Sequence, residues 1–279
     1  MNTATRLSES SPYDKLYIYY LNGRLENSPG NLGGSFIGNW EEGDTSFLFF
    51  SGPAVDQIDA ILSKQPQLTL KDEYCMSYDE WHGEPLRPFR AGRFVVSPPW
   101  RESGAAEGEV PILLDPGVVF GVGNHPTTQD CLTCIDMLFA NHDVQSTVDL
   151  GTGTGVLAIA AARLGSRCNI AVDNNFLAAK TARNNVVINH LEDRVYVACG
   201  KAENSIECKT DLVIANIHYD VMRQLIESPG FLSKKWFILS GLLRSEAKRI
   251  EARLSYHSAN IIEKMVKDGI WHTFFGSIG

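Results

Sequence analysis

The sequence predicts an α/β protein: a doubly wound, mostly parallel sheet preceded by a small α+β module. Three observations carry this. From residue 146 onward, short apolar runs of strand type alternate with longer helical patterns, the order that builds a parallel sheet with helices on both faces. The run Val148 to Gly155, V-D-L-G-T-G-T-G, takes a strand to an acid and then to three glycines at alternate positions, ahead of an Ala-rich helical stretch. The first eighty residues differ from both, with aromatic-rich segments broken by Gly, Asn and Pro.

Residues 13–80 form the predicted small module. Residues 16–21 (L-Y-I-Y-Y-L) and 45–50 (T-S-F-L-F-F) read as strands, and 67–74 as a returning strand. Residues 54–64 have helical spacing, with Val55, Ile58, Ile61 and Leu62 on one side. Between the first two strands, residues 22–34 (N-G-R-L-E-N-S-P-G-N-L-G-G) are too rich in Gly, Asn and Pro to hold a helix. Residues 81–110 read as a linker that includes the turn S-P-P-W and the loop E-S-G-A-A-E-G-E. The larger domain is expected over 111–279. Its helices are predicted at 127–140, 155–164, 175–189, 219–227 and 243–254. Its seven strands are predicted at 146–150, 168–172, 193–198, 210–216, 235–240, 259–266 and 270–277, the last two joined at Lys267-Asp268-Gly269.

Composition bounds the function. At 279 residues, 44% hydrophobic and 21% charged, the chain has room for one large core and a smaller module. No apolar run approaches the ~20 residues of a membrane span. The N-terminal residues lack the apolar core of a signal peptide, so a cytoplasmic location is expected. The formal charge of −8 argues against direct nucleic-acid binding and suits a basic protein partner. Cys131 and Cys134 lie three apart on a predicted helix, with no second Cys/His pair at zinc spacing, so one buried face is expected and no metal.

The glycine run carries the chemistry. Glycine accepts positive φ and lets a ligand lie against bare backbone, and the helix start behind it offers unpaired amides. A dinucleotide site has G-x-G-x-x-G and seats a pyrophosphate. Here Gly151, Gly153 and Gly155 follow G-x-G-x-G, and Asp149 stands two residues ahead. A carboxylate there repels a pyrophosphate and favours a ligand bearing an ammonium group, which points to S-adenosylmethionine (AdoMet). The next strand ends in Asp173, 22 positions beyond Gly151, placed to accept hydrogen bonds from ribose hydroxyls. Asn216 ends the fourth strand, D-L-V-I-A-N, at the same sheet edge.

Several longer segments extend this reading. They are F-R-A-G-R-F-V-V-S-P-P-W (Phe89 to Trp100), L-D-P-G-V-V-F-G-V-G-N-H-P-T-T (Leu114 to Thr128), D-L-V-I-A-N-I (Asp211 to Ile217) and L-S-G-L-L (Leu239 to Leu243). From about residue 114 to the C-terminus the chain resembles class I methyltransferases. Within them it is most similar to the PrmA family, which methylates ribosomal protein L11 of the large subunit; the D-P-G…H-P-T-T segment is the specific feature. The resemblance implies a seven-stranded sheet with an antiparallel strand inserted by the terminal hairpin. It implies AdoMet as cofactor and transfer to lysine or N-terminal amines of a ribosomal protein. It also implies a small ferredoxin-like domain at the N-terminal end that grips the substrate, from which residues 22–34 depart.

For single residues, the resemblance gives Thr128 a contact to the cofactor and Asn216 a contact to cofactor or substrate. An acid after the third strand, for which Glu203 is the candidate, receives the adenine amino group. His125 belongs to the specific motif, and positional catalysis with Phe120, His125, Asn216 and His218 at the substrate entrance is expected. The segment Asn216-Ile217-His218-Tyr219 also has the N-x-x-Y outline of enzymes that methylate planar amides and base amines. Two alternatives therefore stand beside the first reading. One is a methyltransferase for an amide, nucleobase amine or small metabolite; the other is a non-catalytic AdoMet-binding module.

Overall fold

The structure, a computed structural model, describes residues 10–26, 32–83, 85–119 and 123–279. The chain divides into two compact units, Met1–Arg87 and Pro88–Gly279.

The first unit contains β1 (Lys15–Asn22), β2 (Phe36–Glu42), β3 (Thr45–Phe50), α1 (Val55–Lys64), β4 (Thr69–Ser77) and α2 (Tyr78–Trp81). The sheet order is β2-β3-β1-β4 with every neighbouring pair antiparallel. Helix α1 buries Ile58 and Ile61 against Tyr19, Leu21, Leu48 and Phe50, and the Tyr19 hydroxyl accepts from the Ala54 amide at the helix start. This is the strand order of a β-α-β-β-α-β unit, with no helix among the described residues between β1 and β2. Strand β2 is not foreseen by the sequence reading. Gly38, Asn39 and the terminal Glu41-Glu42 hide its period, and the strand lies at the sheet edge with a register shift between Phe36 and Gly38.

The second unit opens with β5 (Phe89–Ala91), β6 (Phe94–Ser97) and β7 (Val110–Leu113), which form a three-stranded sheet. Part of the stretch read as linker is therefore built into this unit. Phe94, Val95 and Val96 are buried, and the Arg93 amide and guanidinium both bind Asp136 of the following helix. That helix is α3 (Pro126–Asn141). After it come β8 (Ser146–Leu150), α4 (Val156–Arg163), β9 (Cys168–Asp173), α5 (Phe176–Ile188), β10 (Val195–Cys199), α6 (Ala202–Ser205) and β11 (Leu212–Asn216). The unit ends with α7 (Tyr219–Leu225), α8 (Pro229–Leu232), β12 (Trp236–Leu243), α9 (Arg244–Tyr256), β13 (Ala259–Lys267) and β14 (Trp271–Ile278).

The seven-stranded sheet runs β10-β9-β8-β11-β12-β14-β13, parallel from β10 to β12, with β14 inserted antiparallel between β12 and β13. Its central strands are apolar because both faces are covered. On one face α3, α4 and α5 pack Cys131, Leu132, Ile135, Leu157 and Val186 on the sheet. On the other, α7, α8 and α9 pack Met222, Leu225, Phe231, Ile250 and Leu254. Cys131 and Cys134 are both in the first core as free thiols. The strand order reverses between β8 and β11, and a ligand cleft in such a sheet opens at the carboxyl ends of these strands. Among the described residues no helix is long and apolar enough to cross a membrane.

Candidate active site

At the switch point β8 delivers Asp149 and the glycine turn. Asp149 is 1% exposed. The Thr152 hydroxyl donates to its Oδ2 at 2.5 Å, while Oδ1 is buried with no hydrogen-bond partner. Burial pushes this carboxyl up to about 7; the Thr152 hydroxyl and the Ala158 backbone oppose the rise, and the nearby Asp173 charge adds a smaller push in the same direction as burial. Gly151, Gly153 and Gly155 have φ of +70°, +55° and +84°. A Cβ on Gly151 would stand 2.2 Å from Ile217 Cγ2. One on Gly155, which caps α4, would stand 3.1 Å from the Ala182 Cβ. The turn thus needs glycine both for handedness and for space.

Asp173 closes the other side. Its Oδ2 accepts from the Gly153 amide at 3.0 Å and its Oδ1 from the Asn175 amide at 2.9 Å. Its carboxyl is raised by burial, against the lowering effect of these backbone bonds. The two acids therefore flank one loop and feel each other's charge. A buried carboxylate with an oxygen lacking a donor, beside bare glycine backbone, fits a cationic nucleoside and not a pyrophosphate.

A second group forms at the start of α3. His125 is its N-cap: Nδ1 lies 2.7 Å from the Thr127 hydroxyl and accepts weakly from the Thr127 amide at 3.4 Å. The imidazole meets Trp271 edge-on, with centroids 5.1 Å apart, and burial lowers its pKa. From the tip of β11, Asn216 Nδ2 donates to Thr127 Oγ1 at 3.1 Å and to Thr128 Oγ1 at 3.4 Å. His125, Thr128 and Asn216, 91 residues apart at the extremes, thus meet through Thr127. Behind them Ser240 binds the Thr127 carbonyl at 3.5 Å and the Thr273 hydroxyl at 2.5 Å, and Thr273 donates to the buried Asp130 at 3.3 Å.

The remaining expected residues are placed differently. His218 is the exposed N-cap of α7, and its ring accepts from the Asp220 amide at 3.4 Å and stands 3.6 Å from that carboxylate. Its contacts are thus local to α7. Glu203 is exposed on α6 and makes no hydrogen bond or ion pair among the described residues. Phe120 lies outside the described residues. Tyr219 begins α7 and packs at the edge of the second core. The sequence reading missed Thr127, Asp130, Thr152, Ser240, Trp271 and Thr273. Thr127 and Ser240 lie within quoted motifs; an acid next to Cys131 on a buried helix face was the available signal for Asp130.

Comparison with known proteins bears on the family and the fold. The family described as ribosomal protein L11 methyltransferase (PrmA) matches residues 48–277. Ribosomal protein L11 methyltransferase of Myxococcus xanthus is 33% identical over 219 residues, 77% of this chain and 72% of that protein. The protein of the same name from Desulfitobacterium hafniense is 37% identical over 187 residues, 66% of this chain and 59% of that one. Over the second relative the chain thus spans less than two thirds of its length. The crystal structure of a ribosomal protein L11 methylase from Lactobacillus delbrueckii subsp. bulgaricus superposes with a TM-score of 0.60 at 29% identity, covering 69% of this chain and 98% of that one. A human methyltransferase 10 domain containing protein shares the fold at TM-score 0.50 and 12% identity, over 61% of this chain and 89% of that one. By the family match over 48–277 and these identities, the chain belongs to the ribosomal protein L11 methyltransferase family.

Proposed function

We propose that this chain uses AdoMet to methylate lysine or N-terminal amines of ribosomal protein L11. The observation that carries the cofactor is Asp149: a buried carboxylate oxygen without a donor, set under three glycines whose backbone turns left-handed. The acceptor is supported by the relatives' names. Asp149 offsets positive charge on the ligand, Asp173 takes the ribose hydroxyls, and the bare loop admits the nucleoside. AdoMet supplies a methyl group already activated by its sulfonium.

The chain's remaining task is to present a neutral amine and exclude water. A lysine, ordinarily near pKa 10.4, loses its proton more readily when desolvated. Asn216 Nδ2 is held by the two threonine hydroxyls, which fixes the amide and leaves Oδ1 as an acceptor for the substrate amine. His125, held below its usual pKa by burial, is neutral at pH 7, and its acceptor nitrogen Nδ1 faces Thr127, so the ring orients that residue and, through it, Asn216. His218 lies at the same strand end and serves, in this reading, at the rim of the entrance; Glu203 and Thr128 are assigned to the cofactor side. The Tyr219 ring packs on the core, which disfavours stacking on a planar amide or base.

The test is to incubate the purified chain with methyl-labelled AdoMet and purified L11, then map label by mass spectrometry. Label on lysine or the N-terminal amine supports the proposal. An unlabelled L11, with label in an RNA or metabolite fraction of a lysate, refutes it.

A further inference from the structure

One buried side chain joins the two halves of the site. On the inward face of α5, Thr181, Ala182, Asn185 and the C-cap Asn189 are all buried. Asn185, 0% exposed, accepts from the Asp115 amide at Oδ1 (2.9 Å). Its Nδ2 donates to the carbonyls of Asp115 and Thr154, each at 2.9 Å. Asp115 begins the D-P-G turn of the segment that leads to His125 and Thr127; Thr154 is in the glycine loop. The same helix face seats both pieces by contact. Gly117 leaves room for Thr181 (a Cβ would be 3.1 Å from its hydroxyl), and Gly155 leaves room for Ala182 (3.1 Å). The start of α5 follows Asp173, whose carboxylate is already tied to Gly153.

We infer that Asn185 is a positioning residue that couples the cofactor loop to the acceptor-side segment. A ligand that settles the glycine loop fixes the Thr154 carbonyl. Through one amide group it then fixes Asp115 and the D-P-G turn that opens the acceptor-side segment. Both of Asn185's amide hydrogens and its oxygen are engaged, so neither half shifts without breaking a buried bond. Asn189 is the built-in comparison. It holds Leu113 in the same way, accepting from its amide at 3.1 Å and donating to its carbonyl at 2.6 Å; it also donates to the Asn185 carbonyl at 2.8 Å and accepts from Arg163, but it does not bond the glycine loop. Loss of either asparagine removes buried hydrogen bonds; only loss of Asn185 separates cofactor from acceptor side. The inference rests on the proposed AdoMet site for the identity of the ligand.

The test reads amide hydrogen exchange residue by residue on the full chain, with and without S-adenosylhomocysteine. The Asp115 amide reports on Asn185, the Leu113 amide on Asn189, and the Gly117 amide, which donates to Asp115 Oδ1 at 3.0 Å, on the turn itself. In the unaltered protein the ligand is expected to slow exchange at Asp115 and Gly117 by about tenfold or more. Asn189→Ala is expected to keep that response at Gly117, and Asn185→Ala to reduce it below about twofold while still binding the ligand. In turnover, Asn185→Ala is expected to lower kcat on L11 at saturating AdoMet by about tenfold, with Asn189→Ala within about threefold of the unaltered chain. Ligand binding without any slowing at Asp115 and Gly117 in the unaltered chain overturns the inference and needs no variant. So does an equal loss in both variants. Failure to bind S-adenosylhomocysteine at all refutes the cofactor reading, and the coupling with it.

Discussion

Asp149 holds a carboxyl that burial pushes up to about 7, with one oxygen bonded to Thr152 and the other buried without a donor. In the unfolded chain the same group titrates near 4. Between these values the folded state binds more protons, so the ligand-free protein loses stability as pH rises from about 4 to about 7. The scale is about 1.4 kcal/mol per pKa unit. Urea titrations across this window are expected to show that decline, and Asp149→Asn to flatten it. A decline of the same size in Asp149→Asn assigns the effect elsewhere. His125 shifts the opposite way, downward by burial. Required neutral to accept from Thr127, it keeps kcat level at neutral pH and loses it only as pH falls below the ordinary histidine range. A profile for His125→Gln that retains this acid limb removes the assignment.

At the scale of elements, the turn between β8 and α4 is held open for a ligand by packing as much as by sequence. Gly151→Ala puts a methyl into Ile217 and forces positive φ on alanine. A loss of about 1–3 kcal/mol in stability is expected, with AdoMet binding lost as well. Adding Ile217→Ala relieves the clash but not the backbone strain, so only part of the stability returns; full recovery by the double variant contradicts the account. The same turn was legible in the sequence because its signals are local: an acid, three glycines and an apolar helix within fifteen residues. The α3 site was legible in part, since H-P-T-T names His125 and Thr128 directly. Thr127 as the hub was not, because its importance comes from Asn216, 89 positions away. Asn185 gave no signal for the same reason: its partner Asp115 lies 70 positions earlier. Strand β2 was hidden by Gly38, Asn39 and two glutamates on a sheet edge, where half-exposed positions carry no clear alternation. Glu203 shows the converse, an acid in a suggestive place that the structure leaves in solvent.

At the scale of the whole molecule, two compact units divide after Arg87. The cofactor loop, α3 and Asn216 all belong to the second. The first is an antiparallel four-stranded sheet with α1 on one face. If the first unit serves acceptor recognition, residues 88–279 alone bind S-adenosylhomocysteine within about threefold of the full chain but methylate L11 at least tenfold more slowly. Equal rates on L11 contradict that division of labour. The net charge of −8 favours a basic acceptor through long-range attraction. Raising salt from 50 to 300 mM is therefore expected to raise KM for L11 several-fold while leaving KM for AdoMet nearly unchanged, since screening acts on separated surface charges first.

The most direct test is calorimetric titration of S-adenosylhomocysteine into the unaltered chain and into Asp173→Ala. The account predicts one site, and a loss of about 1–3 kcal/mol of binding free energy in the variant as its buried hydrogen bonds to the ribose disappear. Equal affinity of the two proteins, or no heat of binding to either, contradicts it.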